Sequence, residues 1–176
     1  MNKNTYSLKE YVLGFTYFTL YGLVKYLPSP IFDILRFLVL YVFTNEIKSI
    51  RIKDGVTVWF PQNLSIGKNV SLNEWVFIDA FGVVKIGNYC RIAHGVSIIS
   101  ENHGYKDNQV LIYLQKKIKG TVVIGDNCWI GAGAKIMPNV KIGEGSVIAA
   151  GCVVTKSVPP MSIVAGVPGK IIKTRN

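Results

Sequence analysis

At 176 residues, 49% of them hydrophobic, the chain has the size and apolar content of one domain, or of one domain with an appended segment. Its net charge of +10 predicts an anionic partner such as phosphate groups, an acidic membrane or an acidic polymer. The basic residues are scattered and no nucleic-acid-binding motif accompanies them, so a nucleic-acid partner is not expected.

Residues 1–45 are predicted to form an apolar segment of two helices that is divided at "LPSP". The longest uncharged run, residues 11–24, is shorter than the ~18–20 residues that a membrane span requires, and no signal-peptide cleavage site follows it. Two interpretations stay open. Either the helices pack on the rest of the protein or on a neighbouring subunit, or they lie in an acidic membrane interface, with Lys9, Lys25 and Arg36 spaced along them.

Residues 46–176 form the second predicted domain, in which a large aliphatic residue returns at every sixth position, with a two-residue slip at "DAFG". The recurring positions are Ile66, Leu72, Ile78, Ile86, Ile92, Ile98, Ile124, Ile130, Ile136, Ile142, Ile148 and Val154. A small or compact residue follows most of them after four positions, and Ile52 and Val58 mark an irregular start.

A six-residue period fits neither an α-helix nor a half-buried strand, whose apolar positions recur every three to four or every two residues. It fits a coil of short parallel strands in which three hexapeptides make one triangular turn and the large aliphatic side chains point inward. A sandwich of short strands has no reason to keep this register. The pattern therefore predicts an all-β parallel β-helix.

The rhythm stops between Ile98 and Ile124, which predicts a loop extruded from the coil at about residues 100–121. The chain has two histidines. His103, in "SENHGY" at the start of this loop, is a candidate general base near neutral pH. His94, in "IAHGV", is expected to be a turn residue.

The three cysteines, Cys90, Cys128 and Cys152, each occupy the small interior position of a hexapeptide, and none forms a CxxC pair. They are predicted to be structural thiols in a reducing cytoplasm. No metal site is expected.

The stretch "IGDNCWIGAGAKIMPNVKIGEGSVIAAGCVVTKSVPP", followed by "AGVPGKII", resembles the hexapeptide-repeat O-acetyltransferases, over roughly residues 50–173. This family includes the maltose and galactoside acetyltransferases and the O-acetyltransferases of capsule and O-antigen synthesis. The "DAFG" and "NHGY" pieces are most similar to the cell-surface polysaccharide branch. The resemblance implies a left-handed β-helix, assembled as a homotrimer, with acetyl-CoA in a groove between adjacent subunits.

In the family, the histidine of the loop motif is the catalytic base, and here that residue is His103. It would remove the proton from an acceptor hydroxyl as the oxygen attacks the thioester, in a direct transfer without an acyl-enzyme. Positioned proton transfer of this kind typically contributes ~10²–10⁴-fold to the rate.

Three further residues match the acceptor side of the family's site. Asn73 and Asp79 fall near its acceptor-binding residues, and Asp79 is expected either to bond the sugar or to orient His103. Trp129 should point outward from the coil, where the resemblance places a tryptophan beside the thioester, as a wall for both substrate and cofactor.

The cofactor side of the resemblance lies toward the end of the coil. Backbone amides around Gly131 and Ala132 are expected to contact the pantetheine arm or the developing oxyanion, and Ala150 matches a position whose backbone meets the same arm. The residues expected to face the adenosine phosphates are Thr155, Lys156, Lys170 and Lys173. Gly169 and Lys170 replace the more common alanine and arginine, which bears on the details of the phosphate contacts.

Rival functions differ in the residues they need. A γ-class carbonic anhydrase holds zinc with three histidines, and this chain has two. A non-catalytic β-helix scaffold would not need His103, Trp129 and the lysine-rich end together. An amino-sugar N-acetyltransferase, or an enzyme with another small acceptor such as serine or an antibiotic, stays open.

The sequence thus predicts an acetyl-CoA-dependent O-acetyltransferase for a sugar of a cell-surface polysaccharide or its precursor, with the acceptor sugar and hydroxyl unassigned. We expect it in the cytoplasm. A lipid-linked acceptor, at the inner face of the cytoplasmic membrane, would account for the apolar residues 1–45.

Overall fold

The computed structural model describes residues 8–175, apart from the side chains of residues 9–11. Residues 1–7 of the predicted helical segment, and the side chain of Lys9, therefore lie outside the described residues. The chain begins with two helices, α1 (Leu8–Lys25) and α2 (Asp33–Phe43), which are separated at the predicted "LPSP".

Short strands then form five triangular rungs of three strands each within the described residues. The first two rungs are β1 (Glu46–Ile47), β2 (Ile50–Ile52), β3 (Thr57–Trp59), β4 (Leu64–Ile66), β5 (Val70–Leu72) and β6 (Phe77–Asp79). The third is β7 (Val83–Ile86), β8 (Arg91–Ile92) and β9 (Ser97–Ile99). A hairpin of β10 (Glu101–Asn102) and β11 (Ile118–Lys119) interrupts the coil. The last two rungs are β12 (Thr121–Ile124), β13 (Trp129–Ile130), β14 (Lys135–Ile136), β15 (Lys141–Ile142), β16 (Val147–Ile148) and β17 (Val153–Val154). The chain ends in β18 (Ser162–Ala165) and β19 (Lys170–Thr174).

Equivalent strands of successive rungs stack into three parallel sheets, which form the three faces of the coil. Face one has the order β1-β4-β7-β12-β15, face two β2-β5-β8-β13-β16 followed by β18 and β19, and face three β3-β6-β9-β14-β17. Equivalent aliphatics pair in register, as Ile86 does with Ile66 and Ile124. The predicted parallel β-helix, its helical N-terminal segment and its extruded loop are all confirmed.

The predicted inward positions form the core. The recurring aliphatics are at most 3% exposed, and the three cysteines lie buried among them. Rungs approach so closely at the turns that a side chain is excluded at some positions. A Cβ on Gly125 would lie 2.7 Å from the backbone nitrogen of Glu144. Glycine is therefore required there for close approach of the two rungs.

Arg36 of α2 joins the helices to the coil. It is fully buried, and each of its N–H donors has an acceptor. Its Nε donates to the carbonyl oxygen of Ile52 in β2 at 2.9 Å, and its Nη2 lies 2.6 Å from the Asp33 carboxylate. The remaining acceptors are the carbonyl oxygens of Val24 and Leu27 and the hydroxyl of Ser29. The expectation that Arg36 attracts anionic lipid is wrong, because the guanidinium is occupied inside the protein.

Replacing Arg36 with leucine should lower the free energy of unfolding by about 3 kcal/mol or more, since it removes a buried ion-pair partner of Asp33 and leaves the carbonyl oxygens of Val24, Leu27 and Ile52 without this donor. Arg51→Leu, on the exposed middle position of β2, is the matched control and should change it by less than about 0.5 kcal/mol. Chemical denaturation at one fixed protein concentration measures both. Equal effects of the two substitutions would contradict the joining role of Arg36.

Candidate active site

The interruption of the coil is an antiparallel hairpin that leaves the corner between face three and face one. Glu101 of β10 pairs with Lys119 of β11, and Asn102 pairs with Ile118. The chain leaves and re-enters at one point, because the Gly120 N–H donates to the carbonyl oxygen of Ser100 at 2.7 Å. The next strand, β12, therefore stacks directly on β7, and the coil continues without loss of register.

The base of the hairpin is fixed by a buried hydroxyl and explains the slip at "DAFG". Ser100 Oγ donates to the carbonyl oxygen of Asp79 at 2.8 Å and accepts from the Gly82 N–H at 2.9 Å. A Cβ on Gly82 would lie 1.9 Å from the carbonyl oxygen of Gly120. The slip therefore places a glycine where the returning strand of the hairpin touches the rung below.

Two carboxyl groups lie beside this base. Asp79 is 5% exposed, and its Oδ1 accepts from the Phe81 N–H at 2.9 Å. Glu101 Oε1 lies 2.6 Å from Lys117 Nζ. Burial raises the pKa of the Asp79 carboxyl above its usual range; the Phe81 N–H opposes this rise, and the neighbouring Glu101 adds to it.

The ammonium groups of the hairpin complete this cluster. Lys117 and Lys119 place their Nζ atoms 5.3 Å and 4.8 Å from the centre of the Phe81 ring. Glu101, Lys117 and Phe81 were not among the predicted site residues. The sequence does point to two of them, since Glu101 lies two residues before His103 and Phe81 lies within the "DAFG" slip.

The structure separates the two histidines. His103 follows β10 directly and is exposed, and the next residue, Gly104, donates its N–H to the carbonyl oxygen of Lys116, which extends the hairpin past His103. His94 lies on a coil turn after β8, where its carbonyl oxygen accepts from the Gly133 N–H at 3.0 Å. His103 is therefore the histidine that stands at the extruded loop.

The remaining predicted site residues lie on two corners of the coil, on either side of face three. Asn73, Gly131, Ala132 and Ala150 lie along the corner between faces two and three, and Trp129 is 56% exposed on β13 beside it. Thr155 and Lys156 lie on the other corner, from which the hairpin also emerges, and are exposed. Lys170 and Lys173 lie on β19 and are exposed.

The expected role of Gly131 as an amide donor does not fit the structure. Its N–H donates to the carbonyl oxygen of Ile148 at 2.7 Å, as part of the bonding between rungs. A Cβ on Gly131 would lie 2.6 Å from the nitrogen of Ala150, so the position needs glycine for close packing. Of the two predicted backbone donors to the cofactor, Gly131 and Ala132, only the N–H of Ala132 therefore remains a candidate.

Metal-ligand geometry is missing from this site as far as the structure describes it. Among residues 8–175, no three or more His, Cys, Asp or Glu side chains are grouped so that they could hold a metal ion.

The coil matches a known protein family and is similar in sequence to several named proteins. The bacterial transferase hexapeptide family (six repeats) matches residues 121–156. A protein of Escherichia coli (strain K12) named as the lipopolysaccharide biosynthesis O-acetyl transferase WbbJ is 36% identical over 115 residues, which cover 61% of this chain and 59% of that protein. One of Lysinibacillus sphaericus named as a macrolide acetyltransferase is 39% identical over 106 residues, covering 51% and 59%. The chain thus spans about three fifths of the length of these relatives.

Solved structures extend the similarity to the whole fold. A maltose O-acetyltransferase from Clostridium difficile 630 superposes with a TM-score of 0.86 at 26% identity, over 97% of this chain and 90% of that chain. A hexapeptide-repeat acetyltransferase of Vibrio cholerae complexed with acetyl coenzyme A superposes with a TM-score of 0.84 at 22% identity, over 100% and 96%. The second likeness concerns the fold alone. Both superpositions include the two N-terminal helices as well as the coil.

Proposed function

Because this chain carries the hexapeptide-repeat β-helix of the bacterial acetyltransferases, we propose that it is an acetyl-CoA-dependent O-acetyltransferase. Its acceptor is a hydroxyl of a sugar in a cell-surface polysaccharide or its precursor. The observation that carries this proposal is the position of His103, exposed on a hairpin that is rooted in an otherwise uninterrupted coil. The relative named for lipopolysaccharide O-acetylation supports the choice of acceptor.

The reaction is a direct acyl transfer. His103 accepts the proton of the acceptor hydroxyl while that oxygen forms a bond to the thioester carbonyl carbon, and the carbon–sulfur bond then breaks. The coenzyme A thiolate leaves with the electron pair and takes up a proton. The thioester is already activated, so no covalent intermediate on the enzyme is required. The Ala132 amide is our candidate donor for the developing oxyanion.

A site between copies of the chain agrees with the position of these residues. Trp129 and the Gly131 turn lie at one edge of face three, and the His103 hairpin leaves from the other edge. A single protomer therefore does not bring the two groups to one point. In the homotrimer that we propose, the Trp129 edge of one protomer stands against the hairpin of the next, and each site takes residues from both.

His103→Ala should reduce acetyl transfer to a sugar acceptor by at least about 10²-fold, because it removes the general base. Coenzyme A binding and the oligomeric state should persist. The matched control, His94→Ala, should change the rate far less. Turnover with acetyl-CoA, together with calorimetric binding of coenzyme A, measures these effects. Near-normal turnover of the His103 variant would refute the assignment, and a chain without any turnover would favour the non-catalytic scaffold.

The lysines at the end of the coil test the cofactor site. Lys156→Ala and Lys170→Ala should weaken binding of coenzyme A more than binding of dephospho-coenzyme A, because an ammonium group that meets the 3′-phosphate has no partner in the second ligand. Titration calorimetry with both ligands compares the losses. Equal losses would instead place the lysines near the pyrophosphate, and no loss with either ligand would make them ordinary surface residues.

The helices leave a large apolar surface uncovered, which we call the helical apolar surface. Each helix buries one stripe: Tyr17 and Tyr21 in α1, which packs against α2 with the Tyr17 ring on Phe43, and Leu40 and Phe43 in α2, which packs on β2. The helical apolar surface comprises Leu8, Val12, Phe15, Phe18, Leu20, Leu23, Tyr26, Ile31, Ile34, Leu35, Leu38, Tyr41 and Val42, all exposed. Neither helix among the described residues combines the length and the apolar content of a bilayer-crossing segment.

The occupant that we propose for the helical apolar surface is an anionic lipid interface. Two exposed tryptophans of the coil adjoin it: the Trp59 ring contacts Phe18, and the Trp75 ring contacts Tyr26. Tryptophan and tyrosine are enriched where apolar groups meet lipid head groups. The net charge of +10 adds attraction to acidic lipid. A lipid-linked saccharide would then be presented at the surface on which the enzyme lies.

The full-length chain should float with vesicles that contain phosphatidylglycerol and should bind neutral phosphatidylcholine vesicles more weakly. A double substitution of Leu23→Asn and Leu38→Asn should abolish flotation, since both side chains belong to the helical apolar surface. The control pair, Leu111→Asn and Ile112→Asn, alters equally exposed residues of the hairpin region and should float normally. Loss of the oligomer in the Leu23 and Leu38 variant, with no flotation of the unsubstituted chain, would show that this surface is a subunit contact.

A further inference from the structure

Asp79 and Glu101 are neighbouring carboxyl groups at the root of the hairpin. Asp79 ends β6 and Glu101 begins β10, so they belong to different turns of the coil. The backbone joins them through Ser100, whose N–H donates to the carbonyl oxygen of Asp79 at 3.0 Å. Both side chains turn away from solvent, since Asp79 is 5% exposed and the Glu101 side chain 12%.

The hydrogen bonds of this pair leave one fully buried oxygen without a donor. Glu101 Oε1 is satisfied by Lys117 Nζ, and Asp79 Oδ1 by the Phe81 N–H. Glu101 Oε2 is buried and has no partner so long as both carboxyl groups are ionised. A buried carboxylate oxygen without a donor is costly. A proton on Asp79 removes that cost, because the carboxylic acid then donates to Glu101.

We propose that Asp79 and Glu101 share one proton, with Asp79 as the neutral acid that donates to Oε2 of Glu101, and that this bond positions the hairpin that carries His103. Glu101 stays ionised and keeps its ion pair with Lys117. Asp79 is therefore a positioning residue whose carboxyl is engaged inside the protein. Of the two roles predicted for Asp79, this arrangement favours orienting His103 over a bond to the sugar.

The electrostatic surroundings of Asp79 favour this arrangement. The charged groups that face it are Glu101 and Lys117, both from the hairpin. Its neighbours along face three, Trp59 in β3 and Ile99 in β9, do not titrate at ordinary pH. Burial, followed by the charge and the hydrogen bond of Glu101, raises the pKa of Asp79, while Lys117 and the Phe81 N–H act against the rise.

A raised pKa in the folded state makes the stability depend on pH in a defined direction. The folded protein holds the Asp79 proton at pH values where the unfolded chain, with an aspartate pKa of about 3.9, has lost it. The stabilisation is complete below that unfolded pKa and is lost as pH rises through the folded pKa. Between the two values, the unfolding equilibrium constant of the unsubstituted protein should rise about tenfold per pH unit from this proton.

Asp79→Asn isolates this contribution, because an asparagine amide donates to Glu101 and accepts from Phe81 without titrating. The ratio of the unfolding constants, unsubstituted protein over variant, should therefore rise with pH from about pH 4. Glu144→Gln, at an exposed position of the coil, is the control and should show no such rise. Denaturation of the full chain across the pH range gives the ratios. Parallel pH curves for the unsubstituted protein and the Asn variant would overturn the shared proton.

The positioning of His103 rests on the proposed function and needs a kinetic readout. Glu101→Gln should lower kcat for acetyl transfer by about 10-fold or more, with the KM for acetyl-CoA within about two-fold, because a displaced base slows the chemical step. Asp79→Asn should retain more activity than Asp79→Ala, and its kcat should lack the decline that the unsubstituted enzyme shows as pH rises through the folded pKa of Asp79. An unchanged kcat in the Glu101 variant would overturn the positioning role.

The two experiments fail independently. If the pH-dependent stability appears but no sugar accepts an acetyl group, the proposed function is wrong and the shared proton stands. If acetyl transfer occurs and the stability ratio is flat with pH, the proposed function stands and the shared proton is wrong.

Discussion

The structure depends on one constraint: the backbone of every rung must hydrogen-bond to the rungs above and below it. The N–H groups of Gly87, Gly125 and Gly143 each donate at 2.8 Å to the carbonyl oxygen of an aliphatic residue one rung further along the chain. Because pairing holds equivalent residues in register, each face repeats at a fixed interval of sequence. The six-residue period reflects that interval. An insertion within a face would break the pairing with the neighbouring rungs. Additional chain can leave only at a corner, which is where the hairpin emerges.

The two additions to the coil are attached by similar means. The helices are held where the buried Arg36 meets the carboxylate of Asp33 and the backbone of β2. The hairpin is held where Lys117 meets Glu101 and, through it, Asp79. In the first place Arg36 donates to backbone carbonyl oxygens of the helices and of β2, and in the second Lys117 donates to the Glu101 carboxylate. Geometry at these points is specified by a few directed contacts, whereas the core relies on repeated apolar packing.

Local repetition made most of the fold predictable. The aliphatic positions from Ile66 to Val154 predict the coil because each hexapeptide carries the same information as its neighbours. Arg36 was misjudged because a cation within an apolar helix looks the same in sequence whether it faces lipid or protein carbonyl groups. The amide of Gly131 was misassigned because a turn glycine reveals its packing only once the next rung is present. Asp79 and Glu101 were not paired, since their contact depends on the path of the chain through a full rung.

The last two strands determine how far the coil can extend. On face two, β18 pairs with β16 in parallel, but β19 returns antiparallel to β18 with a register shift between Ile163 and Val164. On this face β18 takes the position of a sixth rung, and the position that a seventh would occupy is filled by β19, a strand of opposite direction. An uncovered rung would offer its free edge to the first rung of another molecule, and head-to-tail stacking of this kind has no natural end. The reversed strand therefore acts as a terminator against filament growth along the axis of the coil.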